Sequence, residues 1–184
     1  MTQERKTLSP QNKTVAKPTV AGLFAGIGGF EIGLNRAGFK TIMLCEIDSY
    51  AQEVLEYWKK NAHKDFDKPP FADVDLSQKD ITKLKKLPKV TLLTAGFPCQ
   101  DLSLAGSKAG ITGERSGLIN EVFRLLESAN EESPDWVLLE NVSYMLGLEN
   151  GKAMRVIVDR FETLGYKWAY RELDARSFGV AQRR

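Results

Sequence analysis

The sequence holds 184 residues, 42% hydrophobic and 27% charged, the make-up of a globular domain able to bury one core of its own. Lysine and arginine number 26 against 24 acidic residues, and the resulting formal charge of +2 is too small to announce a nucleic-acid binder by its field alone. No apolar run approaches the roughly 20 residues that cross a bilayer, no apolar stretch follows Arg5 and Lys6 as a secretory signal requires, and two cysteines make no disulfide framework, so the reading is a cytoplasmic protein without a membrane partner.

Residues 1–18 are polar and almost without large apolar side chains, which cannot repay the entropy of ordering. They are expected to form a disordered polar tail, with a basic arm touching phosphate as the functional alternative. From Thr19 to the end the expectation is a single domain. Short β-type runs predict strands at Thr19–Leu23, 41–46, 91–96 and 135–140. Helical spacing predicts helices over 30–37, 50–61, 116–130 and 151–164, with Gly38 and Gly165 as stops. Such alternation implies an α/β fold with a mostly parallel sheet, helices on both faces, and ligands gathered at the carboxyl ends of the strands.

The first strand runs into Phe24-Ala25-Gly26-Ile27-Gly28-Gly29, a turn whose missing side chains let backbone approach a nucleotide-like ligand. Glu46 follows Gly26 by 20 positions, where an acid in such folds accepts hydrogen bonds from ribose hydroxyls. Together these point to an adenosine-type cofactor, with a tight turn plus a surface acid as the plain reading; neither feature separates NAD from S-adenosylmethionine. The strand before Gly96-Phe97-Pro98-Cys99-Gln100 delivers a cysteine to a loop at the ligand edge, a position suited to a nucleophile. Cys45, between Leu44 and Glu46 in an apolar strand, reads instead as core packing. The next strand brings Glu140-Asn141-Val142 to the same edge, so an acid and a thiol can face one pocket. His63, the sole histidine, lies among Asn61, Lys64 and Asp65 and reads as a surface residue. The chain offers no ligand cluster for a metal.

In order and in wording, the glycine turn, Gly96 to Gln100, Glu140 to Val142 and Gln182-Arg183-Arg184 resemble the successive signature motifs of DNA cytosine-5 methyltransferases. The resemblance implies a Rossmann-like S-adenosylmethionine-dependent methyltransferase fold, with double-stranded DNA as partner and S-adenosylhomocysteine as product. It further implies that Cys99 attacks carbon 6 of a flipped-out cytosine, that Glu140 engages ring nitrogen 3 with support from Arg184, and that carbon 5 takes the methyl group. For the cofactor it points to Phe24, Ala25, Gly26, Ile27 and Gly29, to Glu46 on the ribose and Ile47 beside the adenine, to Asp80 and Ile81 as the adenine-recognising pair with Asp73-Val74 as runner-up, to Pro98 near the methyl group, and to Leu118. Leu118 has plain packing as its alternative. Gln100, Ser103, Lys108 and Arg115 lie on a glycine- and serine-rich stretch that in the family closes over DNA, and they are the candidate DNA contacts. This loop is expected to be open in the absence of DNA.

Family chains continue past Gln-Arg-Arg into a further strand, a target-recognition region and two closing motifs. The fold is therefore expected to be incomplete at its C-terminal end, with residues 166–173 as its last strand and a second chain or missing segment supplying the rest. The role implied is in a restriction-modification system. An inactive or regulatory relative, an RNA cytosine-5 methylase and a nicotinamide oxidoreductase are the readings from other classes.

Overall fold

A computed structural model describes residues 16–62, 68–98 and 116–181 of the chain. Residues 1–15 of the expected tail, and His63, lie outside the described residues. In chain order the elements are β1 (Thr19–Leu23), α1 (Gly29–Arg36), β2 (Lys40–Cys45), α2 (Ser49–Lys60), β3 (Leu92–Gly96), α3 (Ile119–Ala129), β4 (Trp136–Glu140), the short α4 (Tyr144–Gly147) and α5 (Lys152–Thr163).

The four strands are parallel, in the order β2-β1-β3-β4. The chain leaves β1 to one side for β2 and returns on its other side for β3. Between the carboxyl ends of β1 and β3 the connections therefore diverge, which opens the crevice where ligands of such sheets bind. β1 and β2 are buried on both faces, as near-continuous apolar runs in a parallel sheet should be. On one face Ala21, Leu23, Met43, Cys45, Leu93 and Ala95 pack with Ile119, Val122, Phe123 and Leu126 of α3 and Ala153, Ile157 and Phe161 of α5. On the other, Leu44 packs with Leu55, Phe71 and Val74, flanked by Ile32 and Trp58. Helix α2 begins where Asp48 accepts a hydrogen bond from the Ala51 amide at 2.8 Å, and it ends on Lys59 and Lys60, matching the helix dipole at both ends.

The sheet is less well covered at β4. Trp136 is 70% exposed and Leu138 40%, both large apolar side chains on a strand. Residues 166–173, expected as a strand, have no regular secondary structure and pair with none of the strands. Tyr166 is fixed by its hydroxyl, which donates to the Pro134 carbonyl at 2.7 Å, and Trp168 and Tyr170 stack with ring centroids 6.4 Å apart. A strand needs a neighbour's backbone to bond to, and this stretch has β-forming side chains without that neighbour among the described residues. Among the described residues no helix is long and apolar enough to cross a membrane.

Candidate active site at the carboxyl edge of the sheet

The turn after β1 is held by backbone geometry. Phe24 and Gly26 both have φ near +53° and Gly28 has φ +84°, so three of five successive residues are left-handed. Gly28 is required twice over, because a Cβ there would lie 2.7 Å from the Phe71 ring and 3.1 Å from Leu55. The Ala25 amide donates to the Cys45 carbonyl at 3.1 Å and the Gly28 amide to the Ala25 carbonyl at 2.9 Å, which closes the turn against the end of β2.

Glu46 clamps that turn. One carboxylate oxygen accepts from the Gly26 amide at 2.6 Å and the other from the Asp48 amide at 2.8 Å. Each oxygen keeps a second lone pair, so the carboxylate can hold the loop and still accept from a ligand hydroxyl. The Glu46 carbonyl in turn accepts from the Gln52 amide group at 2.8 Å, which ties it to the first turns of α2. Ile27 and Ile47 are 59% and 70% exposed, two apolar side chains left at the rim of the same edge. Phe24 and Leu118 are half-buried against the main core, and Ala25 packs beside the smaller one.

Asp80 begins a helical turn at Ile81–Lys83, accepting from the Thr82 amide at 3.0 Å and hydroxyl at 2.7 Å, and these bonds hold its pKa below the ordinary carboxylate value. Ile81 is buried, so its side chain belongs to the core and only its backbone is offered to a ligand. The runner-up pair differs: Val74 is buried and Asp73 pairs with Lys68 at 3.6 Å.

At the other side of the crevice, Glu140 ends β4 directly across from Gly96 on β3. A Cβ on Gly96 would lie 3.6 Å from a Glu140 carboxylate oxygen and 3.8 Å from the Phe30 ring, so the acid lies over the glycine that precedes Phe97 and Pro98. Asn141 joins the two strand ends, its side-chain amide donating to the Phe97 carbonyl at 3.2 Å while its oxygen accepts from the Val142 amide at 2.9 Å. Asn141 and Gln52 carried no assigned role in the sequence; an amide beside a motif acid and an amide six residues beyond Glu46 are the only local signals of their roles. Cys45 is buried, and burial, reinforced by Glu46 and Asp80, pushes its thiol up to about 11, which makes it inert at neutral pH.

Cys99 and Arg184, and the candidate DNA contacts Gln100, Ser103, Lys108 and Arg115, lie outside the described residues. The expectation of an open loop after Pro98 falls there too. Among the described residues no group of three acids, cysteines or histidines could hold a metal.

Residues 19–184 match the family model for C-5 cytosine-specific DNA methylase. The Type II methyltransferase M2.BsuMI of Bacillus subtilis (strain 168) is 47% identical over 166 residues, covering 90% of this chain and 39% of that protein. M.BsuFI, also of Bacillus subtilis, is 36% identical over 176 residues, covering 95% of this chain and 39% of that protein. The chain thus spans less than half the length of these relatives. Among solved structures, the Dnmt2 methyltransferase of S. pombe superposes with a TM-score of 0.63 at 21% identity, over 91% of this chain and 48% of that one. That likeness assigns the fold, a Rossmann-like methyltransferase sheet, and the family match assigns the kinship: the chain belongs to the C-5 cytosine-specific DNA methylase family.

Proposed function

We propose that this chain carries the cofactor pocket and the catalytic pair of an enzyme that methylates carbon 5 of cytosine in double-stranded DNA. The observation that carries the reading is the meeting, at one sheet edge, of a glycine turn clamped by Glu46 with the Glu140 carboxyl over Gly96, in a chain of this family. The cradle suits S-adenosylmethionine: Gly26 and Gly29 leave open space where a Cβ would stand, Glu46 has lone pairs for ribose hydroxyls, and Ile27 and Ile47 offer apolar contact. Phe24, Ala25, Asp80, Ile81, Pro98 and Leu118 complete the proposed pocket. When bound, that cofactor supplies a methyl group on a positively charged sulfur.

The chain's own residues do the rest. The thiolate of Cys99 adds to carbon 6 of the flipped-out ring, and the electron pair displaced towards carbon 5 makes that carbon the nucleophile that would take the methyl group. The Glu140 carboxyl holds ring nitrogen 3 where charge develops, with Arg184 in support. Loss of the carbon 5 proton to water then expels the Cys99 sulfur as a thiolate and restores the ring. Asn141 keeps Glu140 and the Phe97 backbone in register, while Gln100, Ser103, Lys108 and Arg115 contact the duplex. No residue named above is assigned to target recognition, and the relatives have sequence outside the stretch that this chain matches. The Type II names of the bacterial relatives support a place in a restriction-modification system in the cytoplasm.

The test is covalent trapping on denaturing gels, with 5-fluorocytosine DNA and S-adenosylmethionine, of this chain alone and together with the remaining methylase sequence. Fluorine at carbon 5 blocks the final elimination and preserves the adduct. A band lost in Cys99→Ala is the expected result; no band in either mixture, with cofactor demonstrably bound, would overturn the reading.

A further inference from the structure

The acid closest to the glycine turn in sequence plays no part in the chemistry above. Glu31, in the first turn of α1, is 1% exposed, among the most deeply buried side chains of the described chain. It stands over the sheet where β1 and β3 lie side by side: a Cβ on Gly22 would lie 2.4 Å from its Oε1, so the glycine makes room for the carboxyl. Thr94 on β3 places its Oγ1 2.6 Å from Oε1 and 3.3 Å from the Ala21 carbonyl of β1, while Oε2 has no hydrogen-bond partner among the described residues.

Counting protons decides between the two charge states. The Thr94 hydroxyl has one hydrogen, and a carboxylate on Glu31 would claim it, leaving the Ala21 contact without a donor and a buried negative charge held by that short bond and its own backbone amide alone. A neutral acid resolves both contacts: Oε1–H donates to Oγ1, and the Thr94 hydroxyl donates to the Ala21 carbonyl. We propose that Glu31 is held as a neutral carboxylic acid at neutral pH and acts as a positioning residue, pinning the start of α1, and with it the glycine turn, to the paired strands β1 and β3.

Among the described residues the surroundings supply no countercharge. β1 and β3 carry no titratable side chain; β2 brings only Lys40 at its exposed start and Cys45 in the opposite core; α1 adds Arg36 a turn and more away; the helix α2 carries Tyr50, Glu53, Glu56, Tyr57, Lys59 and Lys60; the 68–74 segment pairs Lys68 with Asp73; and β4 ends in Glu140. Burial raises the Glu31 pKa, against smaller lowering effects of the Thr94 hydroxyl and its own backbone amide. Because the folded value is the raised one, the pin is complete below the ordinary value of 4.5 and is lost as pH rises through the folded value.

The inference rests on the proposed cofactor site only for its consequence, so the test reads the protein first. In the full 184-residue chain, a carbon NMR titration of the Glu31 carboxyl should show it protonated at pH 7. The Gly28 and Gly29 amide signals should shift with its ionisation at higher pH and stay still in Glu31→Gln. S-adenosylmethionine affinity by calorimetry should fall through the same pH range in the wild type and remain flat in Glu31→Gln, which keeps a donor facing Thr94. A carboxyl already ionised at pH 7, or glycine amides indifferent to its titration, would overturn the proposal. If Glu31→Gln does not fold, the wild-type titration decides alone. Absence of cofactor binding at every pH would count against the proposed function, and the NMR result on Glu31 would stand apart from it.

Discussion

Glu46 does two things with two oxygens, and that makes its replacement by glutamine informative. Both oxygens already accept from backbone amides, Gly26 on one side and Asp48 on the other. A glutamine has one oxygen and one donor group, so whichever way it turns, one amide meets another donor. We therefore expect Glu46→Gln to weaken S-adenosylmethionine binding nearly as much as Glu46→Ala, by about ten- to a hundredfold, the loss of one hydrogen bond to a charged group. Calorimetry on the two variants checks this, and a glutamine variant with wild-type affinity would mean that the carboxylate does not organise the turn. Cys45 makes the opposite case. Its thiol pKa is raised, so the folded state holds its proton longer than the unfolded chain does, and stability should decline as pH climbs from the ordinary value of 9.0 through about 11. Cys45→Val should remove that alkaline decline in thermal melts and leave covalent trapping through Cys99 intact.

At the scale of elements, the glycine turn separates demands of the fold from demands of the ligand. Gly28→Ala forces a side chain onto a left-handed residue against Phe71 and Leu55, and we expect a loss of about 1–3 kcal/mol, visible as a lower Tm. Gly29 has ordinary φ and open space around its missing Cβ, so Gly29→Ala should melt like the wild type. If Gly29→Ala also loses cofactor affinity, the new methyl group is meeting the cofactor; unchanged affinity would remove Gly29 from the pocket. The order of elements was legible in the sequence, and strand bounds came out within a residue, because β1 to β4 are short apolar runs between turn residues whatever they pack against. The turn, Glu46 and Glu140 were legible for the same reason, being fixed to strand ends by local sequence. Glu31 was not. An acid in Gly29-Phe30-Glu31-Ile32 reads as a solvated helix face, and only the tertiary approach of Gly22 and Thr94 reveals its burial. The stretch 166–173 failed in the other direction, since alternating Tyr166, Trp168 and Tyr170 advertise a strand while the partner it would need is a property of the whole sheet.

At the scale of the molecule, the uncovered surface lies where the sheet stops. β4 has strand β3 on one side only among the described residues, and Trp136 and Leu138 stand exposed on it. Beyond α5 come Trp168, Tyr170, Leu173, Phe178 and Val180, all about half-exposed or more. A strand edge beside that much apolar surface invites pairing with another chain, specific or not. The relatives are more than twice as long as the stretch matched here, so they carry sequence outside it. The expected behaviour follows from area: burying one tryptophan and one leucine alone is worth about 3–6 kcal/mol before the cost of association. Adding the part of a relative that lies outside the matched stretch, as a separate polypeptide, should raise the Tm of this chain and give a defined complex in light scattering. Trp136→Lys should weaken that complex while leaving S-adenosylmethionine binding unchanged, because Trp136 begins β4 at the end opposite Glu140. A complex indifferent to Trp136→Lys would show that the added sequence docks elsewhere, and the exposed face of β4 would then need a different occupant.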